Sequence, residues 1–493
     1  MVQGLGQTRV AVSVCCVLAF LVVFIFVRGS ACSQTVAAKR QISSTANLPD
    51  IVFVQTAEIV AGPLAQRFPQ GSAIVRWNSS TQRPTVRRLT DGFFAAADPQ
   101  VSFDGVKILY SGQQQRNERW QVWEMDADGS NKRQITHCSE ECLRPAYLPA
   151  GEIAITVEPS AGQQLRSYLA VAKTDGSELH RITFGDAPFQ LETVLRDGRI
   201  VASAPWPLVA SEKSATRMLY TLRPDGTALE SFRCDHSDAS IQSQAEELSD
   251  GSVVFVRKPQ TGAAANGELV QIVRGAPHAT TLGIHQGAFE SARQISEQQL
   301  VVAKLSASGT ARFDLYLFDL KTGTAGARLY ADPQLSSIQP IAITPRAIPK
   351  HYWDTLNAAS STGNFISLNS YSSADEAQGR IATPISRVRV FALTPSSGEE
   401  RTLGDAPVEA DGSFFVETPA NWPVRFALLD SNGHVIREEH SWIWTRPGEQ
   451  RGCTGCHGDK AVAPENHWPQ TLRRFDTPTA LGDRNHGSTT QAK

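Results

Sequence analysis

The sequence predicts an all-β chain: a ring of six repeated units, that is a six-bladed β-propeller, then a small β-sandwich-like module and a C-terminal segment with chemistry of its own. Three observations carry this expectation. Apolar strand-like runs recur about every 45 to 57 residues, the period of four-stranded blades. Turn dipeptides such as Asp104-Gly105, Asp175-Gly176 and Asp225-Gly226 punctuate the runs at tight-hairpin positions. After Pro349 the composition shifts, and alternating runs resume only near Ile385.

Length and charge set the bounds. With 493 residues, 41% hydrophobic and 19% charged, the chain is long enough for two or three cored domains. Its 47 Lys+Arg against 49 Asp+Glu exclude a disordered polyelectrolyte and a nucleic-acid-coating basic protein. Residues 10–27 (VAVSVCCVLAFLVVFIFV) form an apolar run flanked by Arg9 and Arg28. A run of this length fits a cleaved export signal or a retained anchor. Ala31-Cys32 also resembles a lipoprotein box, although Gly29 stands where an aliphatic residue is usual. Each alternative places the rest of the chain in the periplasm or otherwise outside the cytoplasm, anchored or free, with the N-terminal segment as its membrane contact. Residues 1–31 are therefore read as signal or anchor and 32–48 as a Ser/Ala/Thr-rich tether.

The ring is assigned to residues 49–349. One series of runs starts at Ile51, Ile108, Ile153, Ile200, Val253 and Leu300; a second follows at Ala73, Gln121, Tyr168, Met218, Leu269 and Asp314. The first unit lacks an innermost strand, while residues 339–345 (QPIAITP) are unclaimed after the sixth. The expected solution is closure of the ring by that late segment, because free sheet edges are what such folds must avoid. Acidic residues such as Asp98, Asp104 and Asp128 are read as turn-formers. Cys138 and Cys142 are read as a loop disulfide at the rim, with free thiols or a small metal site with His137 as alternatives. The segment from Asp98 to Thr136 resembles the repeat of TolB-type propellers, which implies architecture and almost nothing of activity.

Residues 350–384 read as a linker and 385–446 as the sandwich, with Trp422, Trp442 and Trp444 as its simplest core. Residues 447–493 form the last segment. It holds Cys453-Thr454-Gly455-Cys456-His457, the c-type haem attachment pattern. Two thiols at this spacing can each form a thioether with a haem vinyl group, and the adjoining histidine can ligate iron as the proximal ligand. A CxxC disulfide or half a zinc site are the alternatives. One covalent haem c is thus expected on Cys453 and Cys456, with His457 on the iron. His467 ranks first as distal ligand and His440 second, with His434, His351 and His486 farther away; an open iron face stays possible. Methionine is disfavoured, since Met1, Met125 and Met218 all lie far from the motif.

Residues 408–414 (VEADGSF), Leu428-Leu429-Asp430, Trp442, Trp444, Arg446-Pro447-Gly448-Glu449 and the CxxCH motif together resemble the hydrazine synthase alpha-subunit family, in its middle and C-terminal regions. The resemblance covers most of residues 50–470. Only Cys453, Cys456 and His457 are carried over from it. Family members hold more than one haem within a multihaem, hydrazine-making complex, whereas this chain has one CxxCH. A shared scaffold is implied; the reaction is not. The leading expectation is an extracytoplasmic monohaem cytochrome with a propeller scaffold, serving electron transfer or docking of a redox partner protein. A haem oxidoreductase with an open iron site and a non-enzymatic envelope scaffold are the alternatives, so whether the chain is an enzyme stays open. No nucleic-acid partner is expected.

Overall fold

The computed structural model describes residues 48–79, 85–159, 166–209, 216–232, 240–259, 267–273, 280–283, 287–306, 311–372, 381–395, 397–454 and 467–482. The apolar run at 10–27, Cys32, Cys234, Cys456, His457 and His486 lie outside the described residues, as do 32–47 of the tether.

All twelve predicted runs are strands, and their burial explains their composition. Ile51–Thr56, for example, is buried at five of its six positions, so both faces need apolar or β-branched side chains. Among the described residues, strands between 51 and 342 form four four-stranded sheets and one eight-stranded sheet that divides into two four-stranded units, numbered in chain order with the others. Units four and five touch through one parallel pair, Arg217 with Ile241. The innermost strands lie one against the next, from Ser336–Ala342 to Ala95–Val101, Glu141–Leu148, Gln190–Val194, Ser240–Glu247, Phe289–Ser296 and back to Ser336–Ala342. The late strand closes the first unit by antiparallel pairing, Ile51 with Ala342 and Gln55 with Ser337. It occupies Ser336–Ala342, a few residues before the expected 339–345, because pairing to Ile51–Thr56 fixes its register.

The Asp-Gly turns do more than reverse the chain. Gly176 and Gly226 have φ of +87° and +83°, and an added Cβ would lie 1.9 Å from the Ile135 carbonyl oxygen and 2.3 Å from that of Ile182. Each turn therefore presses on the end of the preceding unit, which only glycine permits.

Asp98 departs from its expected role as a turn-former. It sits in a bulge of Ala95–Val101 with φ +54°, and Arg144, Gln244 and Gln339 occupy bulges with φ of +50°, +56° and +52°. Such backbone persists in non-glycine residues only where surroundings over-determine it. Here each strained N–H donates to a side chain of the preceding unit: Asp98 to Gln339 Oε1 at 3.0 Å, Arg144 to Ser111 Oγ at 2.9 Å, Gln244 to Glu192 Oε2 at 2.7 Å and Gln339 to Ser291 Oγ at 2.9 Å. Asp104 and Asp128 are turn residues as expected, accepting the N–H groups of Val106 and Ser130. Cys138 and Cys142 are joined in a disulfide between units two and three.

Beyond the ring, two four-stranded sheets form the sandwich. One is ordered Glu400–Pro407, Arg387–Leu393, Val424–Leu429, Val435–Glu438; the other Gln450–Cys453, Thr362–Ser367, Phe414–Pro419, Thr479–Ala480. Val388, Val390 and Leu428 of the first pack on Phe365, Phe414 and Val416 of the second. The expected linker at 350–384 thus contains a central strand, Thr362–Ser367, and the last segment supplies two more. Single short strands such as these become visible only through their partners, because a sheet needs neighbours to stabilise it.

Candidate cofactor site at the Cys453 end of the sandwich

Trp444 determines how the cysteine motif is approached. Rather than filling the sandwich, its ring is 1% exposed among Ile182, Phe189, Tyr220 and Leu222 of the propeller. Its centroid lies 5.8 Å from those of both Phe184 and Phe189, and Nε1 donates to the Gly226 carbonyl at 3.1 Å. Trp422 does pack on the sandwich core, so Trp422 and Trp444 belong to two different cores. Arg446 then spans the seam: Nε donates to the Asp225 carbonyl at 2.8 Å and Nη1 to Asn421 Oδ1 at 2.7 Å. Glu449 accepts the N–H of Ala228 at 3.0 Å and of Arg446 at 2.8 Å, and Arg451 Nη2 donates to the Leu229 carbonyl at 2.6 Å. The Arg446-Pro447-Gly448-Glu449 run is a clamp that delivers the next strand, Gln450–Cys453, in a fixed position.

Cys453 ends that strand, level with Ser367, and its carbonyl accepts the Leu368 N–H at 2.9 Å. It lines a cavity of about 100 Å³ between the sheets, walled by Phe365, Phe414, Phe426, Leu428 and Ile443, with Arg437 at the polar side. The three phenylalanines interlock, Phe365 and Phe414 lying 5.2 Å and 5.8 Å from Phe426 by ring centroids. Among the described cysteines Cys453 is the free one. Burial pushes its thiol above the usual range, Glu439 adds to the rise and Arg451 opposes it. A neutral half-buried thiol at an apolar, aromatic-walled cleft suits the substituted edge of a porphyrin, and the cleft is too small to enclose the ring.

His467 comes to the same end of the sheet. Ser367 is level with Phe414 as well as with Cys453, and the turn leading into Phe414 carries Asp411. Asp411 Oδ1 accepts the Ser413 N–H at 2.9 Å and its hydroxyl at 2.6 Å, while Oδ2 accepts the Gln470 N–H at 2.8 Å and lies 3.4 Å from His467 Nε2. Carboxylate contact of this kind orients ligating histidines in metal sites. His440 is exposed, between Glu439, which lines the cavity, and Ser441, whose hydroxyl accepts the Leu208 N–H at 3.2 Å. His434 is exposed beside Asp430, and His351 packs edge-on against Trp353. Among the described residues no group of three or more His, Cys, Asp or Glu is arranged to hold a metal ion. Cys456 and His457 lie outside the described residues.

The aromatic wall was missed in the sequence because Phe365 falls in the stretch read as a linker. Its strand, TGNFIS, buries Gly363, Phe365 and Ser367 on one face, and with Phe365 beside Ile366 its residue types show no apolar alternation to read.

Residues 370–458 match the family described as hydrazine synthase alpha subunit middle domain. Hydrazine synthase subunit alpha of Kuenenia stuttgartiensis is 22% identical, over 87% of this chain and 70% of its own length. The solved structure of Kuenenia stuttgartiensis hydrazine synthase superposes with a TM-score of 0.73 at 21% identity, covering 87% of this chain and 72% of that one. At this identity the match establishes a shared fold. TolB from Acinetobacter baumannii matches with a TM-score of 0.43 at 14% identity, over 59% of this chain and 66% of its own.

Proposed function

We propose that the chain is an extracytoplasmic monohaem c-type cytochrome, in which the propeller is a rigid platform and the sandwich presents the haem for electron exchange with a redox partner protein. The observation that carries this reading is the free Cys453 thiol, first residue of a CxxCH motif, at the mouth of an aromatic cleft. Cys453 and Cys456 would hold one haem c and His457 its iron, and the group supplies one-electron chemistry when bound. The rest is work for this chain's own side chains. The Trp444 and Arg446 clamp keeps Gln450–Cys453 in place, and Phe365, Phe414 and Phe426 keep water from one side of the thiol. Asp411 orients His467 at the same sheet end, which supports His467 as the distal candidate ahead of His440. Residues 10–27 support export.

Expression in a host that attaches c-type haem should yield one covalent haem per chain by pyridine haemochrome assay, and a reversible one-electron couple. A chain without covalent haem, or a spectrum unchanged by dithionite, would sink the reading. Likeness to a hydrazine synthase subunit supports a second reading, an oxidoreductase with an open iron face. Carbon monoxide binding to the reduced protein favours that second reading; a six-coordinate, unreactive spectrum favours the first.

A further inference from the structure

A small cavity at the level of the bulges is lined by Asp98, Arg144, Gln244 and Gln339, and a larger one of about 450 Å³ lies toward the C-terminal ends of the six innermost strands. Gln100, Ala146 and Arg293 line both. Its outer wall is the chain leaving the ring, residues 344–349. Backbone hydrogen bonds pin this strap across the ring, from Ile343 N–H to the Asp50 carbonyl and Arg346 N–H to that of Phe103, both 2.8 Å, and from Lys350 N–H to that of Arg196 at 2.9 Å. Gly105 and Gly198 admit it: a Cβ there would lie 3.0 Å from Pro345 N and 2.1 Å from the Lys350 carbonyl oxygen.

Arg346 is therefore set on a fixed segment. Its guanidinium carbon lies 4.4 Å over the Phe103 ring, and Nη2 donates to the Val101 carbonyl at 3.0 Å. Glu246, Glu247 and Glu297 are the carboxylates of the cavity. Glu246 lies 3.5 Å from Arg293, and Glu247 accepts the Arg196 N–H at 2.5 Å. A pre-oriented planar fork of donors is the group that proteins use to take a carboxylate in two-point contact.

We propose that this vestibule binds a small amino carboxylate, its carboxylate on the Arg346 guanidinium and its ammonium toward Glu246 and Glu247. The volume falls within the roughly 300–1,000 Å³ of small-molecule sites. Arg196, Arg293 and Arg346 share the lining with Glu246, Glu247 and Glu297, so charges of both signs suit a zwitterion better than a simple anion. The ring thus acquires a ligand of its own, independent of the chemistry at Cys453.

Isothermal titration of the full chain with each of the common L-α-amino acids, and with acetate and inorganic phosphate for comparison, tests this. Saturable binding of at least one amino acid is expected, with acetate and phosphate at least about tenfold weaker. Arg346→Gln should weaken that binding by about tenfold or more, through loss of the charge-assisted contact to the carboxylate. Ala347→Trp, which fills the cavity and leaves Arg346 intact, should abolish binding with an unchanged unfolding midpoint. Absence of saturable amino acid binding, undiminished binding in either variant, or phosphate binding as tight as the amino acid overturns the proposal.

Discussion

The axis of the ring is lined by Asp98, Arg144, Glu192, Gln244 and Gln339, whereas the cleft beside Cys453 is walled by Phe365, Phe414, Phe426 and Leu428. At the axis, polar groups satisfy one another across unit boundaries: Arg67 pairs with Asp98, and Arg144 Nη2 lies 2.6 Å from Glu192 Oε2. A hydrogen-bonded network of this kind fixes the register of neighbouring units, because each unpaired member would carry a desolvation penalty. In the sandwich, apolar walls without directional demands leave a cleft beside the neutral Cys453 thiol. The ring is therefore held by specificity and the sandwich by shape, and Trp444 couples them by placing a residue of the sandwich segment in the propeller core.

Breaking the coupling should have the largest effect. Trp444→Ala removes a fully buried indole and should cost roughly 3–5 kcal/mol. Denaturant unfolding followed by tryptophan fluorescence and far-ultraviolet circular dichroism should then resolve separate transitions for ring and sandwich. Coincident transitions at the wild-type midpoint would show that the two regions are held together by something else.

Disrupting the axial network comes next. Burial by itself would raise the Asp98 carboxyl, but Arg67, Arg144 and hydrogen bonds from Gln339 and Ser111 hold it below its ordinary 3.8. A value depressed by folding contributes stability that is complete above the unfolded value and is lost as pH falls through the lower, folded one. The wild-type melting temperature should therefore drop below about pH 4, and Asp98→Asn should flatten that limb. At neutral pH the variant should lose about 3 kcal/mol, the lower end of the range for breaking a buried ion pair because Arg67 keeps some solvent contact. Equal acid limbs in both proteins would remove Asp98 from the network.

The smallest effect is local and sharpens the sandwich side. Asp411→Ala should cost about 1 kcal/mol, chiefly by releasing the Gln470 N–H and the Ser413 hydroxyl. Hydrogen exchange at the Gln470 and Thr471 amides should accelerate while the ring amides keep their protection. Unchanged exchange there would mean that His467 is positioned by other contacts.

Much of the fold was legible because its signals are local. Ile51, Ile108 and the later members of the series announce buried strands by composition alone, and Asp-Gly dipeptides announce the turns between them. The late segment near 339 was assignable to the first unit because a missing strand and an unclaimed one had to match. Asp98 was misread because an aspartate ahead of proline looks like a turn, and nothing near it in sequence reveals Arg67 or Gln339 as partners. Trp444 was misread for the same reason: aromatic content indicates burial without indicating in which core.

At the candidate site the division is similar. The CxxCH motif, the cysteine at its head and the candidate histidines follow from covalent spacing and residue type, which the sequence by itself determines. The placement of Cys453 level with Phe414 and the attachment of His467 to Asp411 were decided by the tertiary structure, as was the setting of Arg346 over the axial vestibule. Each joins residues tens to hundreds of positions apart, and such neighbours exist only once strand pairing has closed the ring and stacked the two sheets.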